Sequence, residues 1–221
     1  LGRIHSVDDI RRSVDAARSA GFDNINLDIM YGLPGQTVDA AMSDLASAID
    51  LSVEHLSWYH LTLEPNTVFH ARPPAGLPGD ELAADIQSAG ATRLAEAGYG
   101  QYEVSAWAKP GHECLHNKNY WSFGDYLAAG AGAHGKTTTE TGIRRFERPA
   151  NPEAYMQSLE RGDTLESRRL GADDVVFEFM LNGLRLREGF TLTDFERVTG
   201  QDRSIVAPVL ERLREDGLLE A

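Results

Sequence analysis

The stretch Asn24–Leu63 constrains the fold most, because its hydrophobic period changes twice within forty residues. From Asn24 to Tyr31 the apolar Ile25, Leu27, Ile29 and Tyr31 alternate with Asn24, Asn26, Asp28 and Met30, the two-residue period of a strand with one polar face. GLPGQ at Gly32–Gln36 breaks that pattern, and Thr37 is placed to cap a helix running to about Leu51, with Ala41, Met42, Leu45, Ala48 and Ile49 on its apolar side. Leu56–Leu63 is strand-like again. Strand, helix and strand at this spacing predict two parallel strands joined by a right-handed crossover. A polar strand face turned inward suits a barrel whose lumen holds a ligand better than an open sheet covered on both sides.

The rest of the chain is punctuated by helix signals. Ser6 with Asp9 forms a capping box ahead of Val7, Ile10, Val14 and Ala17 at helical spacing. After a proline-rich connection, Asp80 is placed to cap a helix to about Ala97, and Gly100–Ala108 alternates like a further strand. Asn151–Gly162 reads as a short helix, followed by Asp173–Arg187, Asp194–Thr199 and Ser204–Asp216. These helices predict a domain boundary near Glu166, separating an α/β part, residues 1–165, from a small helical, winged-helix-like part, residues 166–221. Modules of that kind often bind DNA, but Glu166–Ala221 carries 8 basic against 12 acidic residues, so a packing or lid role is expected instead.

Net charge settles several function classes. The chain is 42% hydrophobic and 25% charged, ordinary for a globular α/β protein, and its formal charge of −13 disfavours nucleic acid and anionic membrane surfaces as partners. No apolar run approaches bilayer length. Cys114 is the single cysteine, which excludes an internal disulfide framework and points to a reducing, cytoplasmic setting. The chain opens on Leu1 as though inside a loop and is expected to be a fragment of a longer protein. A barrel cut in half exposes strand edges, which makes a homodimer an expectation as well.

Candidate chemistry concentrates in two places. Asp28 lies on the polar strand face near its C-terminal end, where α/β barrels place ligand sites, and a carboxylate there can accept hydrogen bonds from ribose hydroxyls or an amino group. Arg3 could hold a carboxylate bidentately. The segment Cys114–Gly135, CLHNKNYWSFGDYLAAGAGAHG, is too polar for core and too patterned for linker. His112, Cys114 and His116 alternate as if on one extended face, but three ligand types without a second convergent cluster signal zinc only weakly. His116 is better read as a single axial-type ligand, with Tyr120 and Trp121 as a flat apolar wall beside it. GAGAHG at Gly130–Gly135 lets backbone approach a ligand closely, and lacks the signature of a phosphate loop.

Taken in order, LGRIH, GFDNINLDIMYGLPGQT, HLSWYHLTLEPNT, AGYGQYEVSAWAKPG, HNKNYW, GDYLAAGAGAHG and VVFEFMLNGLRLREGF resemble the oxygen-independent coproporphyrinogen III oxidase-like family of radical SAM proteins over nearly the whole chain. The HNxxYW motif resembles its haem chaperone branch. The resemblance implies the second half of a partial (β/α) barrel followed by the small helical domain. It also implies a four-iron four-sulfur cluster held by a CxxxCxxC motif upstream of Leu1, with S-adenosylmethionine at its open iron. Cys114 does not match that motif, so the fragment by itself is expected to be inactive and to hold no cofactor tightly.

By the same resemblance Arg3, Asp28, Thr62 on the second strand and His134 correspond to S-adenosylmethionine contacts. His116 corresponds to a haem iron ligand supported by Tyr120 and Trp121, and no catalytic side chain is assigned. The implied partners are haem and haem-acceptor proteins, with membrane contact only through the acceptors. The enzyme alternative within the family acts on coproporphyrinogen III, abstracting hydrogen from its propionates with a deoxyadenosyl radical before decarboxylation.

Overall fold

Ser6 and Asp9 cap one another reciprocally, Ser6 N donating to Asp9 Oδ2 at 2.8 Å and Asp9 N to Ser6 Oγ at 3.2 Å, and α1 (Val7–Ser19) follows. The computed structural model describes residues 6–163 and 167–220. It divides into two units, Leu1–Cys114 and Leu115–Ala221.

The first unit carries the strand–helix–strand element. β1 (Asn26–Tyr31), α2 (Val38–Ile49) and β2 (His55–His60) place the two strands parallel, Asn26 opposite His55 and Asp28 opposite Ser57. Thr37 Oγ1 accepts from Ala40 N at 3.2 Å and caps α2. In the preceding turn Gly32 has φ +74°, and a Cβ there would stand 2.3 Å from the His60 ring, so both the angle and the space require glycine.

After α3 (Val68–Ala71), α4 (Asp80–Glu96) begins one residue after its N-cap Gly79. Its Ile86 and Leu94 are buried with Leu45, Val53, Leu56 and Trp58 in one core. Gly90 lies under the Trp58 ring, where a Cβ would come within 1.7 Å of it.

Gly100–Ala108 departs from the single strand its alternation predicts. It folds back as β3 (Gly100–Glu103) and β4 (Ala106–Ala108), antiparallel, giving the order β1-β2-β4-β3. The turn closes because Glu103 Oε1 accepts from Ser105 N at 3.0 Å, while Ser105 O accepts from Trp58 N at 2.8 Å. Alternation alone does not register a two-residue reversal when both arms keep the period.

In the second unit α5 (Leu115–Trp121) precedes an antiparallel sheet of β5 (His134–Thr139), β6 (Gly142–Glu147) and, after α6 (Pro152–Glu160), β7 (Ser167–Arg169). Then come α7 (Ala172–Gly183), α8 (Leu192–Thr199) and α9 (Ala207–Glu215). Phe179 centres their core, its ring edge-on to Phe123, Phe190 and Phe195. Phe123 and Ile143 from before residue 166 pack with Val175, Phe195 and Leu210 from after it, so the boundary expected at Glu166 falls inside this unit. Two helices are shorter than their periodicity suggests: α7 stops at Gly183, and a 3-10 turn at Arg203–Ile205 replaces the first turn of α9. Among the described residues no helix is long and apolar enough to cross a membrane.

Candidate functional site

On the polar face of the first sheet, five side chains form one hydrogen-bonded network. Asn26 Nδ2 donates to Asp28 Oδ1 at 2.8 Å, which leaves Asn26 Oδ1 to accept from His55 Nδ1 at 2.6 Å and from Ser57 Oγ at 3.1 Å. Because a carboxylate only accepts, this order fixes the amide orientation and therefore the imidazole tautomer. His55 carries its proton on Nδ1, and Nε2 accepts from Tyr102 OH at 2.8 Å. Burial holds His55 below the usual histidine pKa against the opposing charges of Asp28 and Glu113, so the ring is neutral at pH 7. The result is a chain of donors directed from Tyr102 through His55 and Asn26 onto Asp28. Asp28 itself remains exposed, with its position set from behind.

The parallel register creates this arrangement by placing Asn26 beside His55. Arg18 and Glu54 brace it from the edge: Arg18 Nη2 donates to both Glu54 oxygens at 2.7 and 2.8 Å, and Ile25 N donates to Glu54 Oε2 at 3.1 Å. Burial alone would raise the Glu54 pKa, but these hydrogen bonds outweigh it and hold the group ionised.

The second unit is organised around a buried cation. Lys136, 1% exposed, donates to Phe123 O at 2.8 Å, Asp125 Oδ1 at 2.9 Å and Thr138 Oγ1 at 3.2 Å, which uses all three ammonium protons. Burial pushes Asp125 up, yet the bonds from Lys136 and Thr138 prevail and hold it below the usual carboxylate range. The Gly-Asp-Tyr of the motif is thereby anchored, and Tyr126 bonds back to Lys136 through both backbone groups at 2.9 and 3.0 Å.

HNKNYW is helical, where the His112–Cys114–His116 alternation predicts an extended face. In α5 the i, i+4 spacing puts His116 and Tyr120 on one side of the helix. His116 is exposed, and the Tyr120 ring is edge-on to Trp121 and tilted against Tyr126, with centroids 4.9 and 5.0 Å away. Trp121 is covered by the Arg185 guanidinium, 4.3 Å from the ring centroid. Among the described residues no three His, Cys, Asp or Glu side chains are placed to hold a metal ion.

A cavity of about 630 Å³ opens beside this helix, with Tyr120, Tyr126, His134, Arg145, Phe146 and Arg168 among its walls. Arg145 is held by Glu178, Nη2 to Oε2 at 2.6 Å, and by Tyr126 OH. Burial, together with the hydrogen bond that the Tyr126 hydroxyl donates to Tyr120, pushes the Tyr126 phenol up to about 12. His134 opens β5 with its Nδ1 3.6 Å from Glu147.

The residues singled out from sequence are distributed over both units. Asp28 joins a network, whereas Thr62 lies two residues beyond the end of β2 and donates to Glu64 Oε1 at 2.9 Å. Arg3 lies outside the described residues. His134, grouped by resemblance with Asp28 and Thr62, belongs to the second unit and shares a cavity with Tyr120. His55, Tyr102, Arg145 and Arg168 were not anticipated. The alternation of His55, Ser57 and Tyr59 against Leu56 and Trp58 is the sequence signal that places His55 on the polar face.

Comparison with known proteins agrees with this architecture. Residues 170–221 match the HemN C-terminal domain. Heme chaperone HemW of Haemophilus influenzae is 48% identical over 208 residues, covering 93% of this chain and 53% of that protein. Heme chaperone HemW of Escherichia coli is 45% identical over 221 residues, 99% of this chain and 57% of that protein. The chain thus spans about half the length of these curated relatives. Among solved structures, the coproporphyrinogen III oxidase HemN of Escherichia coli, described as a radical SAM enzyme, superposes with a TM-score of 0.75 at 22% identity, over 100% of this chain and 55% of that one. Over the part it spans, the chain is similar in sequence to the HemW heme chaperones, and similar in fold to the HemN oxidase.

Proposed function

We propose that this chain is the haem-handling part of a cytoplasmic haem chaperone. The observation that carries the reading is α5, where an exposed His116 stands one helical turn from Tyr120, whose side chain lines an aromatic cavity. Relatives that bear the name haem chaperone are 45–48% identical to the chain, while the likeness to the oxidase is one of fold. The His116 imidazole offers a lone pair to haem iron, Tyr120 presents its ring to the macrocycle, and Trp121, covered by Arg185, supports Tyr120 edge-on. A single exposed ligand leaves the cargo open to capture by an acceptor protein that supplies stronger ligation.

The polar face around Asp28 suits S-adenosylmethionine in the whole protein. Its carboxylate is positioned by Asn26 to accept from ribose hydroxyls or an amino group, with Arg3 and Thr62 as further contacts. The four-iron four-sulfur cluster is different. It requires several thiolates, and Cys114 is the one cysteine of these 221 residues, so the residues present do not fit it.

Haem titration into the chain and into His116→Ala tests the reading. A Soret shift in the parent chain that is lost in the variant is expected. The same shift in both would remove His116 as ligand, and no shift in either would overturn haem carriage by this part of the protein.

A further inference from the structure

The cavity of the second unit joins two motifs that the sequence presents separately, Tyr120 of HNKNYW and His134 of GAGAHG. Its volume lies within the range of small-molecule sites, roughly 300–1,000 Å³. The walls combine the Tyr120, Tyr126 and Phe146 rings with two guanidinium groups and the carboxylates of Glu147 and Glu178, the latter paired with Arg145. Such a lining fits a ligand that is flat and apolar over most of its surface and anionic at one edge.

The two arginines have an unusual relationship. Arg145 of β6 and Arg168 of β7 are direct cross-strand partners, an arrangement in which like charges repel. Helix α7 offsets it with carboxylates at i and i+4: Asp174 Oδ2 lies 2.7 Å from Arg168 Nη1, and Glu178 Oε2 lies 2.6 Å from Arg145 Nη2. The two pairs are not equivalent. Arg145 is 21% exposed and bonded through Nε, Nη1 and Nη2 to Glu178 and Tyr126, so its geometry is closed. Arg168 is 63% exposed, and its one side-chain hydrogen bond among the described residues runs from Nη1 to Asp174. Its remaining N–H groups can form the fork that matches a carboxylate.

We propose that this cavity seats the carboxylate-bearing edge of a planar tetrapyrrole, with Arg168 as the carboxylate contact and the Arg145–Glu178 ion pair as a fixed wall behind it. The proposal rests on the haem-binding reading above and deepens it. It assigns recognition of the macrocycle edge to β6 and β7, apart from iron ligation on α5. Exposed ion pairs contribute little to stability, so Arg168 is free to exchange Asp174 for a ligand at small cost to the fold.

Metal-free protoporphyrin IX and its dimethyl ester, titrated separately into the whole chain and followed by fluorescence, test this without any contribution from iron. The free acid should bind about tenfold more tightly than the ester, the size of one charge-assisted hydrogen-bonded contact. In Arg168→Ala that preference should fall to about unity, while Arg168→Lys keeps part of it, with circular dichroism unchanged in both. Equal binding of acid and ester by the parent chain, or a preference that survives in Arg168→Ala, would overturn the proposal. Haem titration of the same proteins separates the two readings. A His116-dependent Soret shift alongside an Arg168-independent acid preference sinks only the carboxylate site, whereas absence of any porphyrin binding removes both.

Discussion

His55 donates its Nδ1 proton to Asn26 Oδ1 at 2.6 Å across the parallel β1–β2 pair, and through that contact a buried imidazole governs where the exposed Asp28 carboxylate stands. Two residues 29 apart in sequence thus act as one polar element, and only neutral His55 can donate from Nδ1 while accepting from Tyr102 on Nε2.

Replacement of His55, which is 3% exposed, by Phe removes both of those bonds and should cost about 1–3 kcal/mol at pH 8. Its folded pKa is depressed, so the unfolded chain takes up a proton first as pH falls below about 6.5. The parent protein loses this stabilisation as pH falls through the folded pKa, and the variant has none to lose. Urea denaturation should therefore show the gap between the two proteins narrowing towards acid; a constant gap from pH 8 to pH 5 would contradict the neutral tautomer.

The Lys136–Asp125 pair predicts an asymmetry between its two deletions. Asp125→Ala strands a fully buried ammonium and should cost about 3–5 kcal/mol, whereas Lys136→Met leaves a carboxylate that already meets solvent, 46% exposed, and should cost less. Asp125 has a lowered folded pKa, so its contribution is present above about 3.9 and lost as pH falls through the folded value. Acid denaturation of Asp125→Asn should lack that component. Equal costs for the two deletions would mean that the ammonium is not the constrained partner.

Gly90→Ala sets helix propensity against packing. Alanine is the better helix former by ~1 kcal/mol, but its Cβ would lie 1.7–2.4 Å from Trp58 ring atoms, and overpacking of this kind costs about 1–3 kcal/mol. Thermal unfolding should show a net loss of stability together with a changed Trp58 near-ultraviolet signal. A gain in stability would show that the ring can move aside.

Tyr126→Phe should remove from the alkaline absorbance titration a phenol ionising at about 12. Burial and the Tyr120 hydrogen bond both favour its protonated form, so the stabilisation is complete below about 10 and declines as pH rises towards the folded value. An unaltered titration between pH 11 and pH 12 would assign that phenol elsewhere.

Much of the local structure was legible in the sequence because its causes are local. The alternation of Asn24–Tyr31, the Ser6 and Thr37 caps and the break at GLPGQ each depend on residues a few positions apart, and each appears where those residues predict it. The position of Asp28 on a polar strand face follows from the same period, and the cysteine count limits cluster chemistry without any structure. The extended reading of His112–His116 was also local, and it gave way because helical hydrogen bonding begins at Leu115 and turns alternation into i, i+4 spacing.

What tertiary structure decided lies at longer separation. Strand register placed His55 beside Asn26, the Glu103–Ser105 turn folded one expected strand into two, and β-pairing set Arg145 opposite Arg168 with Asp174 and Glu178 arrayed along α7. None of these follows from periodicity, which says which face a side chain occupies but not which distant side chain shares it. Burial then completed the chemistry, since the same imidazole and phenol groups in water would carry neither these partners nor these protonation preferences.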